Sequence, residues 1–112
     1  MNQSGLRELI LRRNKLGDKF ANSLQQALTY DKYLKAVDIS GNRIGSYGIK
    51  LIVKQALLDN SPIIAFDARL NPGVSEKVER QLALCMLKNI EKVKEKGLAI
   101  RPEFLRPDLY SF

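Results

Sequence analysis

The chain has 112 residues, 45% of them apolar, and a formal net charge of +7 from 19 basic and 12 acidic side chains. That length allows one domain with a packed core, and no run of about 18 apolar residues exists to cross a bilayer. Histidine is absent and Cys85 is the single cysteine, which excludes an internal disulfide and removes the commonest general base and metal ligand.

In chain order, the first predicted element is a strand near Leu9–Leu11. Leu9 and Leu11 alternate with Ile10, so two side chains face a core and one faces away. Asn14 follows where the chain turns, and a short amide there can bond free backbone groups. Gly17 permits a tight turn, and Asp18 is a suitable N-cap for a helix to Leu28 with Phe20, Ala21, Leu24, Ala27 and Leu28 on one face. The order then recurs. Val37 and Ile39 point inward from a second strand and Asp38 points outward. Asn42 turns the chain, and Ser46 caps a helix to Leu58 that faces the sheet with Ile49, Ile52, Val53, Ala56 and Leu57. A third strand, Phe66–Ala68, turns Asp67 outward and ends at Asn71-Pro72-Gly73, where proline fixes φ and glycine relaxes it. Ser75 caps a longer helix, Glu76 to Lys96, striped by Val78, Leu82, Cys85, Met86, Ile90 and Val93. Gly97 is a suitable stop.

Three stretches share one pattern. Leu6-x-x-Leu9-x-Leu11-x-x-Asn14-x-Leu16 returns as Leu34-x-x-Val37-x-Ile39-x-x-Asn42-x-Ile44, and again as Ile63-x-x-Phe66-x-Ala68-x-x-Asn71. Self-similarity at such a period predicts stacked units that bury their apolar faces against one another. Stacking places Ile10, Asp38 and Asp67 in one outward column, and Asn14, Asn42 and Asn71 in a structural ladder. The pattern resembles the ribonuclease-inhibitor-like class of leucine-rich repeats. That resemblance implies an α/β leucine-rich repeat solenoid, with about three strand–helix repeats, a C-terminal cap helix and an extended tail. Residues 1–97 are expected to form the solenoid with its cap helix, and residues 98–112 an arm.

Solenoids present surfaces, so the expected function is a non-catalytic protein–protein interaction scaffold. Arg12, Arg13, Asp38, Asp67 and Arg69 are the candidate partner-binding residues of the concave face. Asp38 and Asp67 fall close enough to be weighed as a catalytic pair, but Arg12 and Arg69 beside them favour ion pairing. No metal cluster or phosphate loop accompanies them, so no catalytic residue, metal or cofactor is expected. Cys85, within an apolar run, reads as a buried thiol.

The arm carries Arg101, Phe104, Leu105, Arg106, Leu109, Tyr110 and Phe112, which either seal the last repeat or anchor a partner. The segment Phe66–Gly73 resembles the ending of centrosomal and ciliary leucine-rich repeat proteins. This implies a subunit of a larger ciliary, axonemal or centrosomal assembly in the cytoplasm, where the positive charge suits an acidic surface such as tubulin. A GTPase-activating role in another member of the class makes regulation of a small GTPase the alternative. Nucleic acid is disfavoured, because no aromatic stacking platform accompanies the charge. Met1 to Arg13 lacks a signal-peptide layout. The edge of the first strand is expected to be covered by upstream repeats or another subunit.

Overall fold

Alternating and three-to-four spacings yield three short strands and three helices in strict succession in the computed structural model, which describes residues 8–56 and 61–97. They are β1 (Glu8–Ile10), α1 (Asp18–Tyr30), β2 (Ala36–Asp38), α2 (Ser46–Ala56), β3 (Ala65–Asp67) and α3 (Glu76–Glu95). The strands are parallel in the order β1-β2-β3, with Leu9, Val37 and Phe66 in one register row and Ile10, Asp38 and Asp67 in the next. Each strand starts and ends one residue earlier than its side-chain pattern predicts. The parallel bonding nevertheless runs on into the turns: the N–H groups of Leu11 and Ile39 donate to the Asp38 and Asp67 carbonyls at 2.8 and 2.9 Å.

The side chains turned toward the helices make the main core. Val37, Ile39, Phe66 and Ala68 of the strand segments meet Leu24 of α1, Ile52 of α2 and Met86 of α3. Ile39, Ile44, Ile49, Ile52 and Met86 are fully buried, and each contributes about 1.5–3 kcal/mol by leaving water. Ala27 departs from its expected place and is exposed, so the buried stripe of α1 narrows to Ala21 and Leu24, with Phe20 and Leu28 partly buried.

Helix starts follow the expected chemistry only at α3. There Ser75 is the N-cap, and its hydroxyl accepts the Val78 N–H at 3.2 Å. Asp18 and Ser46 are instead the first residues inside their helices. Gly17 is the cap residue of α1 and makes no side-chain cap bond. Asp18 spends its carboxylate elsewhere, accepting the Gly45 N–H at 2.7 Å and tying α1 to the start of α2. Gly97 ends the last helix as expected, with a left-handed φ of 72°.

The expected solenoid is corrected to a small, compact α/β domain. The last helix, α3, is about 30 Å long, and its second half adds a core of its own. Ile90 packs in a second core with Ala36 of β2 and with Ile64 and Ala65, while the buried Asn89 amide donates to the Ile63 carbonyl at 2.7 Å. The radius of gyration, 13.3 Å, matches the value of about 13 Å for a compact chain of about 100 residues.

Candidate protein-docking surface

The sheet face turned away from the main core carries Ile10, Asp38 and Asp67 in register. Its chemistry differs from a row of open carboxylates. Asp38 is only 8% exposed and Asp67 only 4%, and each is engaged. Arg12 Nε sits 3.2 Å from Asp38 Oδ2, across the strand pair. The Ser40 hydroxyl donates to the other Asp38 oxygen at 2.7 Å. Asp67 accepts from Arg69 three times: from the backbone N–H at 3.1 Å, from Nε at 3.0 Å and from Nη2 at 2.9 Å. Such a fork is the strong form of a carboxylate–guanidinium pair. Neutralised in this way, the carboxylates are anchors that hold two arginines upright.

What the face offers outward is the other half of those pairs. The side chains of Arg12 and Arg69 stay 56% and 43% exposed, and Ile10 is 47% exposed. Arg13 is also exposed. Glu8, Ile10, Arg12, Ala36 and Asp38 line a depression of only about 40 Å³. A second hollow of about 70 Å³ lies between Leu28, Asp31 and Gln55. Drug-sized ligands occupy sites of roughly 300–1,000 Å³, so both hollows suit side chains or water.

The three asparagines are placed unequally. Asn42 is buried; its amide oxygen accepts from Asn14 N–H and Leu16 N–H at 2.8 and 3.0 Å, and its nitrogen donates to the Leu11 and Ile39 carbonyls at 2.9 and 2.8 Å. Asn71 repeats the arrangement one unit on, accepting from Ile44 N–H and donating to Ile39 and Ala68. Each therefore clamps two successive turns. Asn14 is exposed, and its amide donates to its own neighbour, Arg12.

Cys85 is buried, and loss of hydration raises its thiol pKa above the ordinary value against the opposing pull of Lys88 and Lys92. Among the described residues, no cluster of acidic, cysteine or histidine side chains could hold a metal, and no helix is long and apolar enough to cross a membrane. Arg101, Phe104, Leu105, Arg106, Leu109, Tyr110 and Phe112 of the expected arm lie outside the described residues.

Sequence reasoning missed several features of the surface. Leu70, Leu84 and Leu87 are exposed large apolar side chains. A leucine at position 70, where the equivalent positions hold Arg13 and Gly41, was the available signal.

No protein-family model matches the chain, and no curated protein matches its sequence. Solved structures do resemble its fold. One is described as "Leiomodin-1 Actin-Binding Site 2 (ABS2)", at a TM-score of 0.63 and 16% identity, covering 82% of this chain and 68% of that one. Another is a Caenorhabditis elegans tropomodulin C-terminal domain, at a TM-score of 0.58 and 14% identity, covering 79% and 69%. These neighbours overturn the assignment to ribonuclease-inhibitor-like leucine-rich repeats and, with it, the likeness to centrosomal and ciliary members. The described residues form three parallel strands and three helices in an arrangement similar to the tropomodulin C-terminal domain.

Proposed function

We propose that this protein is a non-catalytic docking module that binds a protein of the cytoskeleton. One observation carries the reading: Ile10 stands exposed on the same sheet face as Arg12 and Arg69, each of which is fixed by a buried aspartate. An apolar side chain sharing a face with pre-oriented guanidinium groups suits a protein surface, because little side-chain entropy is left to lose on binding. The fold resemblance supports a cytoskeletal partner, since one similar structure is named for actin binding. Actin is therefore the first partner to test.

Co-sedimentation with actin filaments and, in parallel, with microtubules tests this. The expected result is pelleting with actin filaments that falls roughly tenfold in affinity, about 1.4 kcal/mol, in Ile10→Asp with unchanged thermal unfolding. A chain left in the supernatant by both filaments overturns the reading. Pelleting with microtubules alone moves the partner to tubulin. Imaging of the tagged protein tests a ciliary or centrosomal placement. β1 is an edge of the sheet with Glu8 and Ile10 exposed, and coverage of that edge by another chain segment or subunit belongs to the same proposal.

A further inference from the structure

The residues that precede the three asparagines share one backbone conformation. Arg13, Gly41 and Leu70 have φ values of 57°, 68° and 62°. Their loops lie side by side, because the Arg13 N–H donates to the Ser40 carbonyl at 2.9 Å and the Gly41 N–H to the Arg69 carbonyl at 3.0 Å. The middle position has no side chain, and the Arg13 side chain lies over it, with Cγ 3.0 Å from where a Gly41 Cβ would stand.

One turn further, the Arg43 N–H donates to the Leu16 carbonyl at 2.8 Å, which sets Arg43 beside Lys15. Arg13, Lys15 and Arg43 are all exposed, and none is paired with a carboxylate among the described residues. The nearby acids are engaged: Asp38 with Arg12 and Ser40, Asp67 with Arg69, and Asp18 with the Gly45 N–H. Leu70 is the odd member. A left-handed leucine costs about 1–2 kcal/mol, and a side chain 76% exposed returns no packing energy for it.

We infer that this strand-exit edge docks an acidic protein segment in which carboxylates alternate with apolar side chains. The carboxylates pair with Arg13, Lys15 and Arg43, and an apolar side chain packs on the exposed Leu70. This rests on the protein-docking reading and adds the chemistry of the partner. A phosphate backbone would meet the same cations and leave Leu70 in water, so the leucine selects the peptide.

The test uses the full chain and a fluorescent peptide of glutamates interrupted by two leucines. Polyglutamate, a single-stranded oligonucleotide and phosphatidylserine vesicles are the comparison ligands. The glutamate–leucine peptide is expected to bind, and to weaken roughly tenfold as salt rises from about 50 to about 300 mM. Arg13→Glu combined with Arg43→Glu should abolish it without changing thermal unfolding. Leu70→Gly relieves the left-handed leucine, so it should keep or raise thermal stability while weakening the glutamate–leucine peptide several-fold and leaving polyglutamate unchanged. Equal peptide binding by the double variant overturns the inference. So does tighter binding of the oligonucleotide or the vesicles than of the peptide. If the double variant binds peptide like the parent while Ile10→Asp still weakens filament pelleting, the acidic-segment assignment falls and the docking module stands.

Discussion

Gly73 lies against the backbone of Gly45. Its N–H donates to the Ile44 carbonyl at 2.8 Å, and a Cβ at Gly73 would overlap the Gly45 carbonyl group. The glycine is there for space, since the left-handed glycines among the described residues are Gly41 and Gly97. Gly73→Ala is expected to cost about 3 kcal/mol, because backbone on both sides must move. Gly97→Ala should cost about 1 kcal/mol, from its φ alone, as nothing stands within 4 Å of its missing Cβ. Urea denaturation of the two variants measures the difference, and equal losses would refute the close approach.

Removing the amide of Asn42 orphans backbone groups of two turns at once. Asn42→Ala is expected to destabilise the domain by on the order of 3 kcal/mol, while Asn14→Ala, at an exposed site, stays within about 0.5 kcal/mol. Asn42→Asp should be worse than alanine, since a carboxylate set against the Leu11 and Ile39 carbonyls has no hydrogen to donate. Thermal melts of the three variants check that order.

The two ion pairs differ in what remains when the arginine goes. Each aspartate keeps the backbone N–H two residues on, but Asp67 loses two guanidinium bonds, from Nε and Nη2, in Arg69→Ala, which is expected to cost about 2 kcal/mol. Asp38 keeps the Ser40 hydroxyl and backbone N–H, so Arg12→Ala should cost less than about 1 kcal/mol. Equal losses would show that Ser40 gives Asp38 no support. For the same reason, charge reversal at Arg69 tests folding more than binding, and Ile10→Asp is the cleaner probe of the surface.

Cys85 sets a pH dependence at the alkaline end. Burial raises its folded pKa above the unfolded value, so the unfolded chain loses the thiol proton first. That contribution to stability is complete below the ordinary thiol pKa of about 8.5 and is lost as pH rises through the folded value. Native protein should react slowly with iodoacetamide at neutral pH and rapidly once urea exposes the thiol. A Cys85→Ala variant should lose the cysteine-linked part of the alkaline slope. Rapid labelling of the native chain would show the thiol to be accessible.

Periodicity determined the local architecture. Leu9, Val37 and Phe66 announce inward strand positions, and the Phe20–Leu28 and Val78–Val93 spacings announce helices, because which side a residue faces follows from two or 3.6 residues per turn alone. The fixed distance from strand to asparagine likewise marked Asn42 and Asn71 before their bonds were known. Only the tertiary structure decided what lies across from each position. Alternation turned Asp38 and Asp67 away from the helices, yet both are buried, and the repeating period pointed to a solenoid where the fold is a compact α/β domain. The second core depends on Asn89 and Ile90 reaching Ile63 and Ala36, partners far away in the chain. The edge that carries Arg13 and Leu70 arises in the same way, from loops brought side by side by strand pairing. Spacing along a chain specifies direction, whereas burial and charge at a surface depend on residues that meet only after folding.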